Sequence, residues 1–208
     1  MCSIMSIILV RHGETAFNAS RVLQPPDTPL SERGRLQAQA VARRLAGMSV
    51  GGIISSDLRR AVATAQAIAA PLGLDIRVHA SLQERNFGEL RGRAYDNLGF
   101  DPLLMEDAPA GGESMAAFCG RVAEAMALLR EWRAATHGNL VVVSHGLVIR
   151  TLIERHLLLP ADVSAQQRLA NTSLTVFGAE TPHRATLINC TTHLVGTLRD
   201  DARGLSGV

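Results

Sequence analysis

Ile7-Ile8-Leu9-Val10-Arg11-His12-Gly13 is the stretch on which the reading of this chain turns. Four aliphatic residues in a row, rich in β-branched side chains, mark a strand buried on both faces of a parallel sheet. The Arg-His-Gly that follows falls just beyond the carboxyl end of that strand, where open α/β sheets hold their ligands. Leu140-Val141-Val142-Val143 leads in the same way into Ser144-His145-Gly146. Two imidazoles at two such ends, each beside a glycine that lets backbone come close, describe a site of paired histidines. Acid–base or nucleophilic chemistry follows, with one histidine forming a covalent intermediate.

Outward from these strands, helix-like and strand-like segments alternate, which predicts an α/β fold with a mostly parallel sheet. Ser31 reads as an N-cap for a helix that carries Leu36, Ala40, Val41 and Leu45 and stops near Gly47. Gly52–Ser55 is a short second strand, followed by a helix from about Asp57 that Gly73 ends. Asp75–Val78 is a third strand. From Glu84 to Gly112 the pattern dissolves into glycine, proline and charge, a long loop of the kind that is functional or mobile. Ser114 opens a long helix through Trp132, and a helix over Leu147–Leu159, ended by Pro160, follows the His145 strand. Leu174–Phe177 and Arg184–Asn189 form a hairpin at the sheet edge. The expected architecture is a three-layer α/β/α sandwich with an antiparallel edge strand, a single catalytic domain over residues 1–208.

Bulk composition narrows the function classes. The 208 residues are 47% hydrophobic but only 3% aromatic, so the core is aliphatic and Ala-rich. A net charge of +2 with scattered basic residues argues against nucleic acid or a membrane surface as partner. Lysine is absent, so the side-chain cations other than charged histidine are guanidinium groups, suited to bidentate recognition of phosphate or carboxylate. Cys2, Cys119 and Cys190 are too few and too far apart for a disulfide framework or zinc knuckle. The start, Met1 to Met5, lacks the features of a signal peptide, and no apolar run approaches spanning length, so a reducing cytoplasm is expected.

Four elements carry chemistry. A neutral imidazole at His12 is a competent nucleophile towards phosphorus, and its reference pKa of about 6.5 leaves it mostly neutral. A neighbouring guanidinium such as Arg11 disfavours the imidazolium and neutralises an incoming dianion. One such pair at contact distance is worth roughly 4 kcal/mol at an effective dielectric of about 20. Ser55-Ser56-Asp57-Leu58-Arg59-Arg60-Ala61 sits at a strand-to-helix junction that favours an anion. Arg59 and Arg60 point about 100° apart, so only one of them faces the site. Glu84 opens a Gly-containing loop and suits a general acid if burial keeps it protonated. His145, opposite His12, suits a hydrogen bond to a non-bridging oxygen. Ser144 lies in no G-x-S-x-G elbow, and no metal-ligand spacing such as H-E-x-x-H occurs.

Taken together, Arg11-His12-Gly13-Glu14-Thr15, Asp27-x-Pro29-Leu30-Ser31-x-x-Gly34-x-x-Gln37-Ala38, Ser56-x-Leu58-x-Arg60-Ala61-x-x-Thr64-Ala65, Leu82-x-Glu84-x-x-Phe87-Gly88, Gly111-Gly112-Glu113-Ser114 and Ser144-His145-Gly146-x-x-Ile149-Arg150 resemble the histidine phosphatase superfamily, the phosphoglycerate-mutase-like group. The likeness runs in order from about Ile7 to His193 and is similar to the small phosphatase branch. It implies that His12 is the phosphorylated nucleophile, that Arg11, Arg60 and His145 complete the phosphate pocket, and that Glu84 is the proton donor. Thr15 and Asn18 resemble positions near the transferred phosphate or the substrate. The resemblance also implies no metal and no other cofactor, a small phosphorylated metabolite as substrate, and a monomer or homodimer.

The chain departs from the family at two loops. Arg21-Val22-Leu23-Gln24-Pro25-Pro26 stands where the family often has Arg-x-Gln-Gly, so Gln24, the substrate contact the resemblance implies, is displaced along the loop and the glycine is missing. Leu90-Arg91-Gly92 replaces the common aromatic and Glu-Gly after Phe87-Gly88; Arg91 and Arg93 read as solvated loop residues. His79, His137, His156 and His183 read as surface or helix-end residues, His193 as structural, and Arg150 as half of an ion pair. The expected activity is a metal-independent phosphomonoesterase, a phosphoric monoester hydrolase of the histidine acid phosphatase type. A phosphoglycerate mutase-type phosphotransferase is the alternative, disfavoured because only about two dozen residues separate Gly88 from Gly112 and they include acidic ones. A non-catalytic binding relative is a third reading, and the intact set of His12, Arg11, Arg60, Glu84 and His145 weighs against it.

Overall fold

A computed structural model describes residues 5–161, 163–165 and 168–199; Cys2 and the first four positions of the chain lie outside them. The leading aliphatic run forms β1 (Ser6–Arg11). A single turn, α1 (Ala16–Ala19), precedes α2 (Glu32–Leu45), whose N-cap Ser31 accepts from the Gly34 N–H as the sequence predicts. Then come β2 (Val50–Ser55), α3 (Arg59–Ala69), β3 (Ile76–Val78) and the long α4 (Met115–Ala134). β4 (Asn139–Ser144), α5 (Gly146–His156), β5 (Leu174–Gly178) and β6 (Ala185–Cys190) complete the order.

One six-stranded sheet runs β3-β2-β4-β1-β5-β6. β3, β2, β4 and β1 are mutually parallel, and the antiparallel pairing falls at one edge, where β5 pairs with both β1 and β6. The chain steps outward from β1 to β2 to β3 and then back to β4. Right-handed crossovers therefore place the first helices and α4 on opposite faces. The period-2 alternation of the strands divides accordingly. Ile8, Val10, Ile53, Val141 and Val143 pack on one face with Val41, Leu45, Ala61 and Ile68 of α2 and α3. Ile7, Leu9, Leu140 and Val142 pack on the other with Phe118, Val122, Leu129 and Leu152 of α4 and α5.

Three expectations are corrected. The helix after β2 begins at Arg59 because the Asp57 carboxylate turns outward to accept from Gln83 Nε2 at 2.8 and 2.9 Å instead of capping the helix. α5 ends at His156, short of Leu159, since Leu158 bridges to Arg184 beside the sheet. The Glu84–Gly112 segment is packed: Phe87, Leu103 and Leu23 form a third apolar cluster, with Leu90, Tyr95 and Leu98 against it.

Candidate functional site

β1 and β4 lie side by side in register, with Arg11 opposite Ser144, so the residues after them emerge together. The His12 N–H donates to the Ser144 carbonyl at 3.0 Å and locks the two strand ends. The His12 and His145 rings lie 5.1 Å apart, centre to centre, tilted by 55°. His12 Nδ1 is 2.7 Å from the Gly13 carbonyl. A carbonyl only accepts, so Nδ1 carries the ring proton and Nε2 presents its lone pair. Arg60 Nε donates to that Nε2 at 3.3 Å. Burial first, then Arg60 and Arg11, hold the His12 pKa well below its ordinary value. This ring stays an uncharged base where a free imidazole takes a proton.

The His12 loop is fixed from behind. The Gly13 N–H donates to Thr64 Oγ1 at 3.0 Å, and the Thr64 hydroxyl donates to the Arg60 carbonyl at 2.8 Å, so α3 and the loop share one anchor. Gly13 and Gly34 pack backbone on backbone: a Cβ on Gly34 would stand 2.0 Å from the Glu14 carbonyl oxygen. Glu14 is tied to α2 through Ser31, Arg33 and Gln37.

Arg60 is buried and Arg59 exposed, so the second arginine of the pair is the one that faces the site. Burial lowers the Arg60 pKa to about 10, Arg11 and Arg91 push the same way, and Glu84 opposes them. Arg11 is fully buried and donates to the Leu169 carbonyl. Glu84 receives the Arg85 N–H on Oε1 and the Leu147 N–H on Oε2, both at 3.2 Å. Burial raises its pKa, and those N–H groups, Arg60 and Arg11 offset part of the rise. A carboxyl that burial makes a weaker acid and an imidazole that burial makes a weaker base thus share one site.

A cavity of about 260 Å³ opens over His12, Arg60 and Glu84. Asn18 and Gln24 stand in its wall, but Thr15 does not. Thr15 caps α1 and its hydroxyl lies 2.9 Å from Gln24 Oε1 and 3.1 Å from Asn18 Oδ1, so it acts on the wall through these two. Arg11 and His145 are also outside the wall, wholly buried. The two departing loops close the cavity. Leu23 N–H donates to Arg93 O at 3.0 Å, Gly92 N–H to Leu23 O at 2.7 Å, and Tyr95 N–H to Arg21 O at 2.9 Å. Much of the remaining wall is apolar, including Phe17, Val22, Phe87, Leu103 and Leu147.

Other histidines and arginines sort by position. His193 lies 3.2 Å from Thr172 Oγ1 and 3.3 Å from Arg44, a structural link between the chain's end and the β5 entry. His183 is buried edge-on against Phe177 and is not a surface residue, because the β5–β6 turn folds it inward. Arg150 pairs with Glu154 at 2.8 Å and also reaches the cavity wall. Arg93 is exposed as expected, but Arg91 is half-buried in the cavity wall, turned inward by the loop that the Leu23–Arg93 ladder pins.

Sequence reasoning passed over Ser56, whose hydroxyl lies 2.8 Å from His145 Nε2. It also passed over Arg121, which binds the Ser81 and Gln83 carbonyls at 3.0 and 2.8 Å and pairs with Glu113 at 2.7 Å, holding the segment before Glu84. Arg121 is half-buried on α4 with its guanidinium over the Phe118 ring, and its spacing gives no signal. Ser56 lay within a quoted motif but carried no assigned role. Among the described residues no cluster of three or more His, Cys, Asp or Glu side chains is arranged to hold a metal, and no helix is long and apolar enough to cross a membrane.

Residues 7–190 match the model of the histidine phosphatase superfamily, branch 1. The chain is 38% identical over 186 residues to phosphoglycerate mutase-like protein 4 of Arabidopsis thaliana, covering 82% of this chain and 78% of that protein. It superposes with a TM-score of 0.77 on the alpha-ribazole phosphatase of Shigella flexneri, at 28% identity over 92% of this chain and 98% of the other. A phosphoserine phosphatase from Entamoeba histolytica, solved with phosphoserine, gives a TM-score of 0.75 at 28% identity, covering 92% of this chain and all (100%) of the other. With His12 and His145 joined at neighbouring strand ends, and with a match that spans most of its length, this chain belongs to the histidine phosphatase superfamily.

Proposed function

We propose that the protein is a metal-independent phosphomonoesterase acting on small phosphorylated metabolites. The observation that carries this reading is the Arg60–His12–Glu84 arrangement: an uncharged imidazole whose Nε2 is unprotonated, a guanidinium hydrogen-bonded to that nitrogen, and a buried carboxyl in the wall of the same cavity. In the first step His12 Nε2 attacks phosphorus as the ester P–O bond breaks, and Glu84 gives its proton to the departing oxygen. Negative charge on the equatorial oxygens is met by Arg11, Arg60 and an N–H of His145. In the second step water attacks the phosphohistidine, Glu84 takes back a proton, and the P–N bond breaks to release phosphate.

Hydrolysis is favoured over transfer to a second hydroxyl by the wall beyond Glu84. Phe17, Phe87, Leu103 and Leu147 offer little to orient the polar hydroxyls of a phosphoglycerate. The test is turnover of an aryl phosphate in EDTA, with acid-labile, base-stable phosphoprotein trapped on mixing. His12→Ala is expected to abolish both signals. Turnover lost on chelation would sink the metal-independent reading, and phosphoglycerate interconversion outrunning hydrolysis would assign the mutase instead.

A further inference from the structure

Arg91 holds a charge that the catalytic reading leaves unused. It follows the turn at Gly88–Leu90, with its backbone N–H on the Gly88 carbonyl at 3.2 Å and the next N–H, of Gly92, on Leu23 at 2.7 Å. Gly92 has φ +85°, a conformation that suits glycine, so the chain turns sharply here and sets the side chain in the cavity wall. Burial lowers the Arg91 pKa, and the Arg91 charge in turn lowers that of Arg60.

The other cations of the wall are matched. Arg21 faces Asp96 at 3.6 Å, and Arg150 pairs with Glu154. Arg85 donates to the Glu113 and Asp107 carbonyls at 3.1 and 3.2 Å. Among the described residues Arg91 has neither an acidic partner nor a hydrogen bond from its guanidinium. A half-buried guanidinium beside like charge is costly unless something anionic joins it. In the phosphatase reading Arg11 and Arg60 serve the transferred phosphoryl group, so the anion Arg91 awaits belongs to another part of the substrate. A guanidinium fork matches carboxylate and phosphate alike, but with Arg21 and Arg150 already paired the one charge left to Arg91 balances a monoanionic carboxylate and not a second phosphate dianion.

We infer that Arg91 is a specificity-determining residue that binds a carboxylate on the leaving group, and that the substrate class is a phosphomonoester whose apolar or aromatic body links phosphate to carboxylate. This rests on the phosphatase reading of the same site. The residue belongs to the segment in which this chain departs from its family, where a difference in substrate is expected to be written.

The test compares 3- and 4-carboxyphenyl phosphate with their carboxamide counterparts, which keep the shape and remove the charge. Wild type should favour the better-placed carboxylate by about tenfold in kcat/KM, the worth of one charge-assisted contact. Arg91→Met should bring the ratio to about one, and Arg91→Glu should reverse it. A ratio near one in wild type, or an equal loss on both substrates in Arg91→Met, would overturn the inference. Calorimetric binding of the same four compounds to His12→Ala, with and without Arg91→Met, reads the contact without turnover. Arg91-dependent carboxylate preference in binding, with no turnover by wild type, upholds the contact and removes the phosphatase; turnover with no charge preference does the reverse.

Discussion

Ser56 Oγ stands 2.8 Å from Nε2 of His145 and also accepts the Leu58 N–H at 3.2 Å. A hydroxyl accepts twice but donates once, and the N–H that the proposed mechanism asks of His145 towards phosphate assigns the serine hydrogen to Nε2. The ring proton of a neutral His145 then sits on Nδ1, the nitrogen with no partner among the described residues. Nitrogen-15 spectra of the wild type should report the Nδ1–H tautomer. Ser56→Ala should mix the tautomers and lower kcat by about tenfold, a fraction of what loss of a whole charge-stabilising donor costs. A wild-type spectrum showing the Nε2–H form would refute this.

Activity should have an acidic, bell-shaped pH profile. His12 must be neutral to attack, and its depressed pKa places the acid limb well below pH 6.5. Glu84 must be protonated to serve the leaving group, and burial moves that limb above the ordinary 4.5. kcat/KM therefore rises as His12 loses its proton and falls as Glu84 loses its own. Glu84→Gln should abolish the alkaline limb along with most activity on alkyl phosphates, while good aryl leaving groups suffer less.

Arg121 provides a separate check on Glu84. Arg121→Met frees the Ser81 and Gln83 carbonyls and the Glu113 carboxylate. Misplacing a catalytic group in this way costs on the order of 10²-fold in kcat. The loss should again be steepest for poor leaving groups, the pattern of Glu84→Gln. A uniform loss across leaving groups would mean that Arg121 serves folding alone.

The buried imidazoles also set the acid stability. Folded His145 has a pKa well below 6.5, whereas in the unfolded chain it takes up a proton near that value. The unfolded state binds more protons in that window, so stability falls as pH drops below about 6.5 until the folded group itself titrates. Melting curves from about pH 7 to about pH 5 should show a smaller decline for His145→Asn than for wild type.

Gly34→Ala should destabilise the fold by about 3 kcal/mol in chemical denaturation, because the new methyl group meets backbone of the Glu14 peptide, which cannot step aside.

The parts of this architecture that rest on short-range patterns were legible from residues alone. Ile7–Val10 and Leu140–Val143 are aliphatic enough to be strands in any context, and Ser31 and Ser114 cap their helices as serine does elsewhere. Helical geometry let only one of Arg59 and Arg60 face the site, and the family resemblance, through the alanine matched by Ala61, chose Arg60. What escaped depends on distant partners. α3 starts two residues beyond Asp57, whose carboxylate is claimed by Gln83, far along the chain. Arg91 looked solvated because the ladder that turns it inward, Leu23 with Arg93, joins two loops with no pattern of their own.

The 5.1 Å between the His12 and His145 rings is close to the spacing of adjacent strands, about 4.8 Å. Since Arg11 faces Ser144 across the β1–β4 ladder, peptide hydrogen bonds act as a gauge that sets the distance between the two imidazoles. Side chains around the rim can be exchanged without widening it. Evolution can thus redraw which alcohols are admitted by rewriting two surface loops, leaving the reaction centre dimensioned by the backbone itself.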